Sequence, residues 1–316
     1  MKTKFAIGCL VQWYESDIIE YYIDSLKDAI DSYDGEVLVD VAIVRNTTLE
    51  KPSSKKEFAA QLIEIKTLCK IANVKIIDEL YTIADYRREF NDVYCEKADV
   101  LIWGETDMLV PKQAFVTLDH LHQNVNTPKY LATFAICKMW DDSWKALEHP
   151  EFTNKPFIEM DTKNWWSLRY TMSKEEMNAF NDKVEDLQVN IVSPHKFNGC
   201  GLVISSEVIK AGVNIPRSVF FIHEDTAFMM MTNKVLGNIP QYHFKNILVV
   251  HNRKHPDKRS NIKGEEGLDK TNPGAQRGSH NWYTPANKMC EENCYKLFDP
   301  SFKPHTWEDV FRVANQ

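Results

Sequence analysis

In the first third of the chain, apolar residues fall alternately into short continuous runs and stripes at helical spacing. Lys4 to Val11 is a short apolar run that fits a buried strand. After Ser16, a residue type favoured at helix N-caps, Ile19, Tyr22, Ile23, Leu26 and Ile30 recur at helical spacing and predict a helix over 18–30. Val37 to Val44 reads as a second strand, Lys56 to Ile71 as a second helix, and Val74 to Ile77 as a third strand. A helix over Ala84 to Lys97 then leads into the strand Val100 to Trp103. Such alternation predicts an α/β fold of Rossmann type, with a mostly parallel central sheet flanked by helices. Ligands of these sheets collect beyond the carboxyl ends of the strands.

The later pattern is less regular. Phe115 to His122 reads as helical and Tyr130 to Cys137 as a strand. From Lys138 to about Pro194 the chain holds Trp140, Trp144, Trp165 and Trp166 among many charges, with little strand pattern, and reads as an insertion on the sheet. Patterning returns at Asn198 to Ile204, a strand bracketed by Gly199 and Gly201, followed by a helix over Ser206 to Ala211. His223-Glu224-Asp225 opens a helix running through Val235, and Gln241 to Val250 supplies one more strand. Beyond Asn252 the chain is rich in Lys, Arg, Asn, Gly and Pro and reads as a long loop before a last helix near Trp307 to Val313. Cys290-x3-Cys294 suits the face of a C-terminal helix, since no second Cys or His pair stands at zinc spacing nearby.

Composition narrows the class. With 316 residues, 43% of them hydrophobic, the chain can bury a core without staples, and seven scattered cysteines argue for a reducing compartment. No apolar run approaches the roughly 18 residues of a membrane span, and no signal-peptide pattern opens the chain, so a cytoplasmic protein with no membrane partner is expected. A net charge of −7 gives no global attraction to polyanions, although a cleft can still be locally basic.

Four stretches can carry chemistry. In Glu105-Thr106-Asp107, two carboxylates at spacing i, i+2 close an apolar strand; they would repel unless a cation sits between them, although solvated acidic loops are common. His223-Glu224-Asp225 stands at a helix start, where the backbone dipole favours carboxylates; one acid suffices for capping, and the other can act as a general base. His251 ends a strand, as a metal ligand or as an ordinary polar terminus. The basic run Arg253, Lys254, Lys258, Arg259 and Lys263 is a solvated loop or a cover for a pyrophosphate. The tryptophans are either a stacking platform or packing of the insertion.

In their order along the chain these stretches resemble the nucleotide-sugar glycosyltransferases of the GT-A fold, over about residues 4 to 263. Glu105-Thr106-Asp107 is similar to that family's D-x-D motif with Glu in first place. The resemblance implies that Asp107, Glu105 and His251 hold a divalent metal (Mn²⁺ or Mg²⁺), and that Glu105, Arg87, Arg88, Arg253, Lys254 and Lys258 bind the donor, expected to be a UDP-sugar. It implies Asp225 as the base of an inverting transfer, with Glu224 beside it. The acceptor side takes Trp140, Trp165, Trp166, Gly199, Gly201 and His223. Residues 1–265 would form one catalytic domain with 138–195 as an acceptor-side insertion, and 266–316 a C-terminal extension. The acceptor is a hydroxyl; a hydroxymethylated pyrimidine in phage DNA, in the host cytoplasm, is one expectation, and a polysaccharide or protein is another. A nucleotidyltransferase shares the sheet and the metal, but it would carry a glycine-rich basic loop where this chain has Gln12-Trp13-Tyr14-Glu15. A sugar- or nucleic-acid-binding module would not need Glu105, Asp107, Asp225 and His251 together.

Overall fold

The computed structural model describes residues 1–52, 54–136, 147–153, 173–192, 197–251 and 281–316. The alternation read from the sequence is present: β1 (Phe5–Gln12), α1 (Ser16–Asp31), β2 (Val37–Val44), α2 (Lys55–Leu68), β3 (Asn73–Ile77), α3 (Ile83–Tyr94) and β4 (Val100–Trp103). There follow β5 (Met108–Leu109), α4 (Ala114–Asn124), β6 (Leu131–Ile136), α5 (Pro150–Thr153), α6 (Lys174–Asn181), β7 (Val189–Ile191), β8 (Leu202–Ser205) and α7 (Ser206–Lys210). α8 (Glu224–Leu236), β9 (Gln241–His251), α9 (Tyr283–Tyr295) and α10 (Trp307–Ala314) complete the described elements.

The strands form one sheet in the order β3-β2-β1-β4-β8-β6-β9-β5, with β7 also against β9. β1 is parallel to β2 and to β4, β2 to β3, and β6 to β9. β8 runs antiparallel between β4 and β6, so β6 again points the way of β4. The sheet is therefore mostly parallel, as the alternating pattern predicts. β1 is apolar almost throughout because it is covered on both faces: Phe5 through Val11 are buried. On α1, Ile19, Tyr22, Ile23 and Leu26 are almost fully buried and supply the stripe that covers the sheet. A capping box between Thr82 and Asp85 starts α3.

Three local readings need correction. Helix α1 begins at Ser16 itself with Glu15 at the N-cap, and the Glu15 carboxylate turns back to accept a hydrogen bond from the Gln12 N–H at 2.9 Å. The segment read as an irregular insertion contains α6, whose Ser173 and Glu176 form a capping box, and the short strand β7. The S-x-x-E signal was there in the sequence, but the apolar stripe behind it is too thin to read as a helix. The tail read as a loop contains α9, with Pro285 in its first turn, where a missing N–H costs nothing. α9 also carries Cys290 and Cys294, buried as a helix face requires.

α9 packs on α8 and α10, and Phe220, Trp282, Ala286, Cys290 and Val310 close a separate apolar cluster beside the main core. Among the described residues no helix is long and apolar enough to cross a membrane.

Candidate active site at the carboxyl edge of the sheet

The site is built around one guanidinium. Ile83, Arg87, Phe90 and Tyr94 follow one another at helical spacing on α3, and Arg87 occupies a position that spacing reserves for an apolar residue. It is only 1% exposed. Its Nη2 donates to Glu105 Oε1 at 2.7 Å and to the Gly199 carbonyl at 3.0 Å, while Nη1 donates to Glu224 Oε1. The guanidinium lies 4.7 Å from the centroid of the Trp103 ring, which adds a cation–π contact from the last residue of β4. Its Nε is buried without a partner. Burial opposes the charge on Arg87, yet Glu224, then Glu105 and Asp225, hold its pKa above the ordinary value.

The carboxylates arrive from two segments. Glu105 and Asp107 follow β4 in a turn closed by the Met108 N–H donating to the Glu105 carbonyl at 3.1 Å. Glu105 keeps a quarter of its side chain exposed, whereas Asp107 is 2% exposed. Arg87 is therefore a positive partner of Glu105. After Asp107 the chain enters β5, where Met108 is the register partner of His251 on β9. The backbone thus brings the Asp107 turn and the end of β9 together, while the His251 side chain lies outside the described residues.

Glu224 and Asp225 open α8. Glu224 is buried, and its pKa is pushed up to about 7, first by burial and further by Asp225 and Glu105, with Arg87 pulling the other way. The direction follows from burial, which disfavours the charged carboxylate by more than the Arg87 guanidinium favours it. Asp225 is half-buried; its Oδ2 accepts from the Gly199 N–H at 3.2 Å and its Oδ1 from the Thr226 N–H at 2.7 Å. Gly199 therefore bridges Arg87 and Asp225 through its own peptide groups. A Cβ there would run into the Arg87 guanidinium, which is why the position takes glycine. Gly201 has a φ of 68°, in the left-handed region that favours glycine.

The remaining expected residues separate. Arg88 faces away from Arg87, donating to the carbonyls of Ile215, Pro216 and Val219 and to Asp85, so its donors are committed to the 215–219 loop. His223 has its Nε2 3.2 Å from Asn287 Oδ1 on α9 and adopts a φ of 65°. Trp140, Trp144, Trp165, Trp166, Arg253, Lys254, Lys258, Arg259 and Lys263 lie outside the described residues. Asn198 was not anticipated: it is 3% exposed, its Oδ1 accepts from the Cys200 N–H at 2.8 Å, and its Nδ2 is a buried donor without a partner. Its only sequence signal is its place before the two glycines.

No protein-family model matches the chain, and no curated protein matches it. Among solved structures, the crystal structure of S. aureus TarS 1–349 is similar at 9% identity and a TM-score of 0.45, over 98% of this chain and 81% of that one. The same TarS piece in complex with UDP-GlcNAc gives 10% identity and a TM-score of 0.42, over 94% and 76%. Glucosyl-3-phosphoglycerate synthase from Mycobacterium tuberculosis, in complex with Mg²⁺ and UDP, gives 12% and 0.44 over 83% and 77%. With TM-scores this low, the likenesses bear on neither the activity nor the residue roles of this chain.

Proposed function

We propose that the chain is a nucleotide-sugar-dependent glycosyltransferase that moves a sugar from a UDP-sugar to a hydroxyl acceptor, with inversion. The observation that carries this reading is the convergence, at the carboxyl edge of the sheet, of Glu105, Glu224 and Asp225 on one buried guanidinium, with Glu224 buried and Asp225 half-buried. The order of the motifs along the chain supports the same reading.

The residues are of the right chemistry for a divalent cation. Hard oxygen ligands and one histidine suit Mn²⁺ or Mg²⁺, and the pairing of Met108 with His251 supports a site made of Asp107, His251 and Glu105. Among the described residues, however, no three His, Cys, Asp or Glu side chains gather closely enough to hold a metal, so the set depends on His251. When bound, the ion would supply Lewis-acid neutralisation of the leaving diphosphate.

The protein's own groups divide the remaining work. Asp225 takes the proton of the acceptor hydroxyl as that oxygen forms its bond to the anomeric carbon and the bond to the diphosphate breaks. Glu224 is buried against Arg87 and serves to fix the guanidinium. Arg87 in turn holds the Gly199 carbonyl and Glu105, so it organises the acids and does not itself present to solvent. The unpartnered Asn198 Nδ2 is a buried donor of the kind that a sugar or phosphate oxygen satisfies. For the acceptor, a hydroxymethylated base in DNA remains the first candidate to test, beside glycans and proteins.

The test is release of nucleoside diphosphate from UDP-glucose and UDP-GlcNAc, with and without Mn²⁺, followed by addition of acceptors. Release that depends on the wild-type site supports the proposal. Absence of both binding and release across a wider panel of nucleotide sugars would remove it.

A further inference from the structure

Glu224 and Asp225 are delivered by a corner in a costly backbone conformation. His223 precedes Glu224 in a left-handed conformation, with a φ of 65°, and is the sole non-glycine residue with positive φ among the described residues. A histidine side chain pays a steric penalty there that glycine does not, and such a conformation persists only where surrounding contacts fix it. As N-cap of α8, His223 makes no side-chain capping hydrogen bond.

The contacts that fix it come from α9. The His223 ring donates from Nε2 to Asn287 Oδ1 at 3.2 Å, and the Cys294 thiol lies 3.9 Å from the His223 carbonyl oxygen. Next to Cys294, Asn293 donates to the Ser218 carbonyl at 2.7 Å and to the His305 carbonyl at 2.9 Å. Cys290 is fully buried and belongs to the apolar cluster of Phe220, against which Phe221 and Ile222 pack. Four side chains of one face of α9 thus line the 218–223 approach to Glu224 and Asp225. Asn293 and Cys294 reach backbone carbonyls; the Asn287 contact alone grips the His223 side chain.

We propose that Asn287 is a positioning residue: by anchoring the His223 ring it holds the left-handed corner that sets Asp225 against Gly199, so α9 fixes the geometry of an acid it does not bond. This rests on the reading of Asp225 as the working acid, but the placement of Asp225 is observable apart from any activity. The Gly199 N–H donates to Asp225, and its exchange with solvent reports whether the acid stays in place.

The experiment compares amide hydrogen exchange in the wild type, Asn287→Ala, Asn287→Asp and Asn287→Ala/His223→Gly, with nucleoside diphosphate release from UDP-glucose measured alongside. Asn287→Ala is expected to speed exchange at Gly199 by about 5-fold, the scale of one lost hydrogen bond, while Ala286 on α9 keeps its wild-type protection. Asn287→Asp keeps an acceptor oxygen and should restore slow exchange. His223→Gly adopts the corner freely and should restore it in the double variant without the ring contact. Unchanged exchange at Gly199 in Asn287→Ala overturns the proposal. So does an equal rise at Gly199 and Ala286, which would mark general loosening of the helix. If Gly199 responds as expected while the wild type neither binds nor turns over any nucleotide sugar, the positioning stands and the assignment of the reaction falls.

Discussion

Replacing Arg87 by methionine tests whether the site is held by charge, because methionine keeps the straight apolar stem and deletes only the guanidinium. The substitution removes hydrogen bonds to Glu224, Glu105 and the Gly199 carbonyl, together with the contact over Trp103. Deleting one partner of a buried ion pair costs about 3–5 kcal/mol when the other charge stays ionised and buried. Glu224 has an escape, because its pKa already stands near 7 in the intact site. At about pH 5.5 it is protonated with or without Arg87, and the loss should shrink by roughly 2 kcal/mol, the worth of a hydrogen bond to a charged group. The loss should therefore be near its full value at about pH 8.5 and clearly smaller at about pH 5.5. Urea unfolding of both proteins at the two pH values, followed by circular dichroism, measures this. An equal loss at both pH values, or a loss below about 1 kcal/mol at the higher one, would refute the charge-centred account of the site.

Three further outcomes are expected. Glu224 has a raised folded-state pKa, so it favours the folded state most below about pH 4.5 and loses that contribution as pH rises to about 7, at roughly 1 kcal/mol per pH unit; Glu224→Gln should flatten this slope in unfolding measured across that window, and an unchanged slope would contradict it. Gly199→Ala should destabilise the fold by about 1–3 kcal/mol and slow turnover, because the new Cβ meets the Arg87 guanidinium; wild-type melting and rate would show that the loop has room. Asp107→Asn should lower metal-dependent diphosphate release about 100-fold or more; full activity in the presence of a chelator would remove the metal from the proposed reaction.

The elements that place the site were legible where apolar spacing was strong. β1, β2 and β4 are runs buried on both faces, and their alternation with α1 and α3 sets the parallel sheet and so its carboxyl edge. Glu105, Asp107 and Asp225 are candidates on sequence alone because carboxylates at a strand end or helix start stand out against their neighbours. Which of Arg87 and Arg88 turns inward was open to a reading of helical phase: Ile83, Arg87, Phe90 and Tyr94 share a stripe that Arg88 misses. The partners of Arg87 were not legible, since Glu224 and Gly199 lie more than a hundred residues away in sequence and meet it only through sheet order. The left-handed His223 leaves no mark either, because its conformation is imposed by α9, 64 residues further along the chain. β7 was missed for a different reason, being three exposed residues held only by pairing with β9.

In the proposed reaction Asp225 acts on the acceptor, while other residues hold the nucleotide sugar. The most direct test is Asp225→Asn beside the wild type, with UDP-sugar affinity measured by calorimetry and transfer measured by release of nucleoside diphosphate. The expected result is an affinity within a few-fold of wild type together with a fall in transfer of about 1,000-fold or more. Affinity and rate lost together would place Asp225 in the donor site, and a rate left near wild type would contradict its role as the base.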